Sequence, residues 1–400
     1  MTLQWSLNQP RGRLTLAAFF SLVSFAASIN LFFAAIVRIA SEVGVRPELL
    51  ASVSSAYFAA FVTVSILAGY LADRAGTRPV LMGGCAALLT GALLLGFSDS
   101  PLALLPAVVA MGMGGGILEG MSTALLVQLY PEWERQAVNL SQAAYCCGAI
   151  LGPFLMGVLL PRGVDWRLFF LGVAVLAAAN LALYAASRFA ALEKRGQDQG
   201  FSPKEAAIVL RRWSVAQLCI VLFFYVLAEA ALVGFLNIYL FQFDSAPEAV
   251  AIQSIAYFWA AMLLGRLLCG LLPEGWSERG LIFLTMVLGG AAVATSLLAG
   301  DWRYALACFV AAAFLMGGAW PTTVALTGVR HRRRASTVVG VTVALGALGC
   351  VVAPPLMGVL FQVIDPGLVM ALPAIPLLFG GLLALPVPKA SGGESLPLSR

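Results

Sequence analysis

Apolar runs of twenty or more residues recur along the chain, each closed by a short polar stretch containing Pro, Gly, Asp or Arg. A helix rises 1.5 Å per residue, so ~20 mainly apolar residues cross a bilayer core of ~30 Å. The runs that meet this length are 14–40, 49–71, 79–97, 102–129, 138–160, 166–188, 213–242, 250–272, 281–299, 304–328, 337–364 and 368–387. They predict an all-α membrane protein with twelve transmembrane helices. The longest polar interruption, 189–212, contains EKRGQDQGFSPKE. It divides the chain into an N-terminal six-helix bundle (1–188), a cytoplasmic linker (189–212) and a C-terminal six-helix bundle (213–400).

Composition agrees with lipid as the solvent. Hydrophobic residues make up 61% of the chain and charged residues 11%, with a mean hydropathy of +0.93. A soluble domain has roughly a quarter of its residues charged. The net charge of +5 does not imply nucleic acid, because the basic residues sit in short loops and form no stripe. All seven cysteines fall in apolar segments and the chain has one His, which excludes a zinc or disulfide framework. No cofactor and no metal are expected. The first apolar run follows Arg11 and Arg13 and exceeds the ~7–15 residues of a signal peptide core, so it reads as a retained span.

Lys and Arg set the orientation. With both termini cytoplasmic, eighteen fall on that side and five on the other, while Arg266 lies within a span. The expected location is the plasma (cytoplasmic) membrane.

The two halves repeat. A shift of 201 residues places GAILGPFLMGVL (148–159) on GCVVAPPLMGVL (349–360), Gly116 on Gly317, Gly69 on Gly270 and Arg78 on Arg279. Six spans per copy give both copies the same orientation, hence two pseudo-symmetric bundles with a substrate site at their interface near mid-membrane.

Between the second and third spans stands GYLADRAGTRPVL (69–81). Gly69 permits close helix approach, Asp73 ends a helix beside the cations Arg74 and Arg78, and Gly76 allows the tight turn. This loop resembles the signature of the major facilitator superfamily, and the resemblance extends over nearly the whole chain. It implies that these five residues latch the halves together. The segments GGGILEGMSTALL (114–126), YVLAEAALVGFLNIYL (225–240) and GGAWPTTVALTG (317–328) are similar to the fucose/glucose–proton symporter branch. The fucose carriers of that branch also have an acid in span one, where this chain offers Asn30. Gly148, Gly152, Pro153 and Gly157 partly match a glycine-rich motif of exporters.

Three charged residues lie well inside spans: Glu119, Glu229 and Arg266. A charge in hydrocarbon costs at least ~2.5–3.5 kcal/mol, so each must face a cavity or a partner. Glu119 stands ten residues from its span's end, roughly 15 Å deep, which suits a carboxyl that carries protons. Glu229 has Tyr225 one turn before it and Asn237 two turns after. In the superfamily, helices one, four, seven and ten line the central cavity, which brings Glu119 and Glu229 to one space. Arg266 lies about 9 Å from a span end, where snorkelling and gating compete with binding. Asn30, Gln142, Tyr145, Gln253, Trp259 and Trp320 complete the candidates, since sugar sites pair aromatic faces with amides.

The sequence reading is a secondary active transporter that moves a small polar solute, a sugar, by alternating access with proton symport. The alternative is a proton-coupled exporter of drugs or metabolites. A membrane sensor on the same frame is the non-transport reading, and the intact loop disfavours it. No phosphate loop or nucleophile–base pair points to an enzyme. The partners expected are a small-molecule substrate, protons and the lipid bilayer, with no nucleic acid, for a monomer. A cysteine at Asp301, in a chain cleared of its native cysteines, should react with an impermeant thiol reagent added outside cells, and one at Gln197 should not. The reverse labelling pattern overturns the orientation.

Overall fold

A computed structural model describes residues 10–98, 101–130, 134–187, 189, 213–272, 276–298, 300–330 and 335–386. The predicted linker lies almost wholly outside them. Twelve stretches among the described residues are long and apolar enough to span a membrane. The first six are α1 (Pro10–Val43), α2 (Pro47–Ala75), α3 (Thr77–Gly96), α4 (Leu104–Leu129), α5 (Glu134–Leu159) and α6 (Arg167–Ala186). After them come α7 (Trp213–Ile238), α8 (Glu248–Gly270) and α9 (Glu278–Thr295).

Two of the remaining spans, predicted as continuous, are broken. The tenth consists of α10 (Trp302–Met316) and α11 (Ala319–Arg330), separated by a turn at Gly317 and Gly318. The eleventh is α12 (Ala335–Val363), and the twelfth divides into α13 (Pro366–Ala371) and α14 (Ala374–Ala384) around Pro373. Paired glycines lower helix propensity, and a proline removes a backbone donor, so both breaks have local causes. Average apolarity registers neither.

Gly76 joins α2 to α3 in a φ of 89°, a conformation that L side chains rarely adopt, and its N–H donates to the Ala72 carbonyl. This turn defines one end of the bundle. At the far end the halves are joined. Arg38 on α1 makes two hydrogen bonds to the Glu248 carboxylate on α8, at 2.8 and 3.1 Å. Arg46 donates to Gln362 at 2.7 Å. Asn237, a sequence-predicted binding residue, instead clamps α7 to α1, its amide donating to the Phe33 and Ala34 carbonyls at 3.2 and 2.8 Å.

Helix α2 packs along α12, and α5 along α8. The 201-residue repeat reappears in these two seams. A Cβ on Gly157 of α5 would collide with Gln253 and lie 2.9 Å from the Ala249 carbonyl of α8. A Cβ on Gly358 of α12 would collide with Ser52 and lie 2.7 Å from the Glu48 carbonyl of α2. Gly157 maps on Gly358, Glu48 on Ala249 and Ser52 on Gln253, all by the same shift. One close approach thus closes both seams.

Overpacking of this kind costs about 1–3 kcal/mol. Gly157→Val or Gly358→Val should therefore shift the population toward a form parted at the far end by roughly five- to hundred-fold. Spin labels at Ser41 and Gln242 should show a longer distance in both variants. An unchanged distance distribution would show that the glycines do not set the seam.

Candidate substrate site

Polar side chains from five helices converge between the halves. Asn30 on α1 is buried, donates to the Ala26 carbonyl at 2.8 Å and accepts from the Trp259 indole N–H of α8 at 2.6 Å. Tyr145 on α5 meets Trp259 edge to face with ring centroids 5.2 Å apart, and Phe25 lies 5.5 Å from Tyr145 on its other side. Phe61 stacks on Phe25 at 5.5 Å. Aromatic pairs of this geometry add ~0.5–1.5 kcal/mol each beyond their area.

The charged groups stand on this wall. Arg266 on α8 places its guanidinium 5.9 Å from the Trp259 ring centre. It reaches across the interface to the Cys146 sulfur at 3.9 Å and along its own helix to the Met262 sulfur at 3.4 Å. It therefore turns inward, which sets snorkelling aside among the readings that its position near a span end left open. Its Nε is enclosed without a hydrogen-bond partner. Glu119 on α4 and Glu229 on α7 lie within electrostatic range of each other and of Arg266. Glu119, Glu229, Tyr145 and Arg266 are each half-buried.

Gln142 is half-buried on α5, Gln253 lies in the α5–α8 seam, and Trp320 is half-buried on α11 against the core. In the signature loop, Arg74 stacks on Tyr70 at 4.3 Å and Arg78 donates to the Ala185 carbonyl. The side chain of Asp73 lies outside the described residues. Gly69 is exposed, and a Cβ there would meet nothing within 4 Å, so the close approach expected of it is absent in this conformation.

Sequence reasoning missed Phe25, Tyr57, Cys146 and Met262. Tyr57 is fully buried with an unpartnered hydroxyl and lies within electrostatic range of Glu119. Cys146 is the contact from the N-terminal half to Arg266. All four sit in apolar runs where pattern alone reads packing. Only their register with Glu119 and Glu229 on neighbouring helices distinguishes them.

A family profile described as Major Facilitator Superfamily matches residues 16–273. The chain is 30% identical over 135 residues to the cephamycin export protein CmcT of Amycolatopsis lactamdurans, covering 33% of this chain and 28% of that protein. It is also 30% identical over 150 residues to multidrug resistance protein D of Escherichia coli, covering 37% of this chain and 38% of the relative. Each match thus spans well under half of the relative's length. Among solved structures, the D-xylose–proton symporter superposes with a TM-score of 0.76 at 15% identity, covering 95% of this chain and 99% of that one.

The Asn30–Trp259 bond has a measurable signature. Asn30→Leu should cost about 1–3 kcal/mol by leaving a buried indole N–H without an acceptor. Adding Trp259→Phe removes that orphan, so the double variant should be less destabilised than the two single losses summed. Thermal unfolding in detergent reads this coupling, and strict additivity would contradict it.

Proposed function

Since the chain belongs to the major facilitator superfamily, we propose that it is a proton-coupled exporter that exchanges protons for a small amphipathic organic molecule by alternating access. The observation that carries this reading is the pairing of Glu119 and Glu229 from opposite halves, within electrostatic range and walled by Trp259, Tyr145 and Phe25. A positively charged substrate group and a proton compete for such carboxylates. That competition makes one leave as the other enters, which is exchange. Partial likeness to one protein named for export and to another named for multidrug resistance supports the direction.

Sugar symport, favoured from the sequence, draws support from the fold it shares with the xylose carrier. The site favours it less. A sugar needs free amide donors and acceptors, whereas Asn30 and Asn237 hydrogen-bond within the protein. Aromatic faces and unpaired charges dominate what is left.

In this reading the protein lies in the plasma membrane with both ends of the chain in the cytoplasm, and the conformation is closed outside and open inside. The Arg38–Glu248 and Arg46–Gln362 contacts form the outer seal. Glu119, Glu229, Arg266, Tyr145 and Trp259 form the site, and Gly69, Asp73, Arg74, Gly76 and Arg78 the inner latch.

Glu119→Gln keeps the shape of the side chain and removes its titration. In proteoliposomes it should abolish accumulation driven by a pH gradient while substrate counterflow partly survives. Glu229→Gln should weaken binding more than coupling. If Glu119→Gln accumulated substrate as well as the parent protein, Glu119 would not be the proton carrier.

A further inference from the structure

The two carboxylates account for only part of the charge between the halves. A guanidinium presents five N–H donors in a rigid fork matched to an oxyanion. Those of Arg266 find two sulfurs, which are weak acceptors, and the neighbouring Tyr225 hydroxyl, while Nε finds nothing. Among the described residues Arg266 makes no ion pair. A half-buried guanidinium with an enclosed, unpartnered Nε is costly to the fold unless something else uses it.

The internal repeat shows that helix packing does not require a cation here. The 201-residue shift sets Arg266 on Ser65 and Glu229 on Ser28. Ser65 serves its position with one hydroxyl, which donates to the Gly116 carbonyl of the neighbouring helix at 3.0 Å. Arg266 and Glu229 are therefore additions made in one half only, on the wall of the space between the halves.

We propose that Arg266 receives the anionic group of the substrate, and that the substrate is a zwitterion with an apolar, preferably aromatic, body. Its carboxylate docks on the open donors of Arg266 and its ammonium lies between Glu119 and Glu229. Its body covers the Trp259 and Tyr145 rings. A simple anion meets two carboxylates with no ammonium to offset them. A simple cation leaves the Arg266 donors empty and adds a like charge beside them. The inference rests on the exporter reading for its site, and the ammonium retains the competition with protons.

A charge-permuted series on one body tests it: phenylalanine, phenethylamine, 3-phenylpropionate and 2-phenylethanol, with affinity measured on the full chain in nanodiscs. The parent protein should bind phenylalanine roughly tenfold more tightly than the amine or the acid, as expected for one charge-assisted contact. Arg266→Gln should bring phenylalanine and phenethylamine to within about twofold while the amine still binds. Arg266→Lys, which keeps the charge without the fork, should restore part of the preference and guards against misfolding of the first variant.

Equal binding of amine and zwitterion by the parent protein, no binding of the zwitterion, or an unchanged preference in Arg266→Gln overturns the proposal. Proton release on ligand addition, followed with a pH dye, is read separately. Proton exchange without zwitterion preference removes this inference and leaves the exporter; zwitterion preference without proton exchange does the reverse.

Discussion

Hydrocarbon neither donates nor accepts hydrogen bonds, and this governs where every polar atom of the protein is placed. Ser21, Ser24, Ser54, Ser254, Thr323 and Thr327 all return their hydroxyls to carbonyls of their own helices. The buried amides of Asn30, Asn237 and Gln217 bond to carbonyls, and Asn30 also takes an indole N–H. Against that prevailing practice, polar groups without such partners stand out. Ser55, Ser122, the Gln217 Oε1 and the Asp244 Oδ2 are unsatisfied elsewhere in the fold, and so are the Arg266 Nε and the Tyr57 hydroxyl, which belong to residues around the charged space between the halves.

The second organising fact is that a duplicated chain produced a symmetric frame and an asymmetric site. The seams α2–α12 and α5–α8 use one contact twice, glycine against backbone, at positions related by the repeat. The seam glycines keep their counterparts under the shift. Site residues lose theirs: Glu119 faces Trp320, Glu229 faces Ser28 and Arg266 faces Ser65. Closure is thus a property of the shared scaffold, and chemistry is local to one side or the other.

The spans were legible in the sequence because burial in lipid demands length and apolarity, both one-dimensional quantities. The repeat was legible for a similar reason, since one register fits many separated segments. Breaks at Gly317–Gly318 and around Pro373 were not, because apolarity continues through them. The candidate site was legible as a set of charges and amides, and Glu119, Glu229, Trp259, Tyr145 and Asn30 do meet. Their pairings were not legible. Whether Asn237 offers its amide to a ligand or to a facing carbonyl depends on a neighbour 204 residues away in sequence. Distance from a helix end left snorkelling, gating and binding open for Arg266, whose course follows from the side of α8 that faces α5.

Trp259 carries a consequence of a different kind. Its indole N–H is bonded to Asn30 of the other half, its ring edge meets Tyr145 of that half, and a guanidinium lies near its ring. Indole emission depends on hydrogen bonding and on nearby charge, and parting of the halves changes both at once. The protein therefore carries a native optical reporter at the joint between its halves. A variant retaining Trp259 as its sole tryptophan would convert each opening and closing into light, without a label attached to the moving parts.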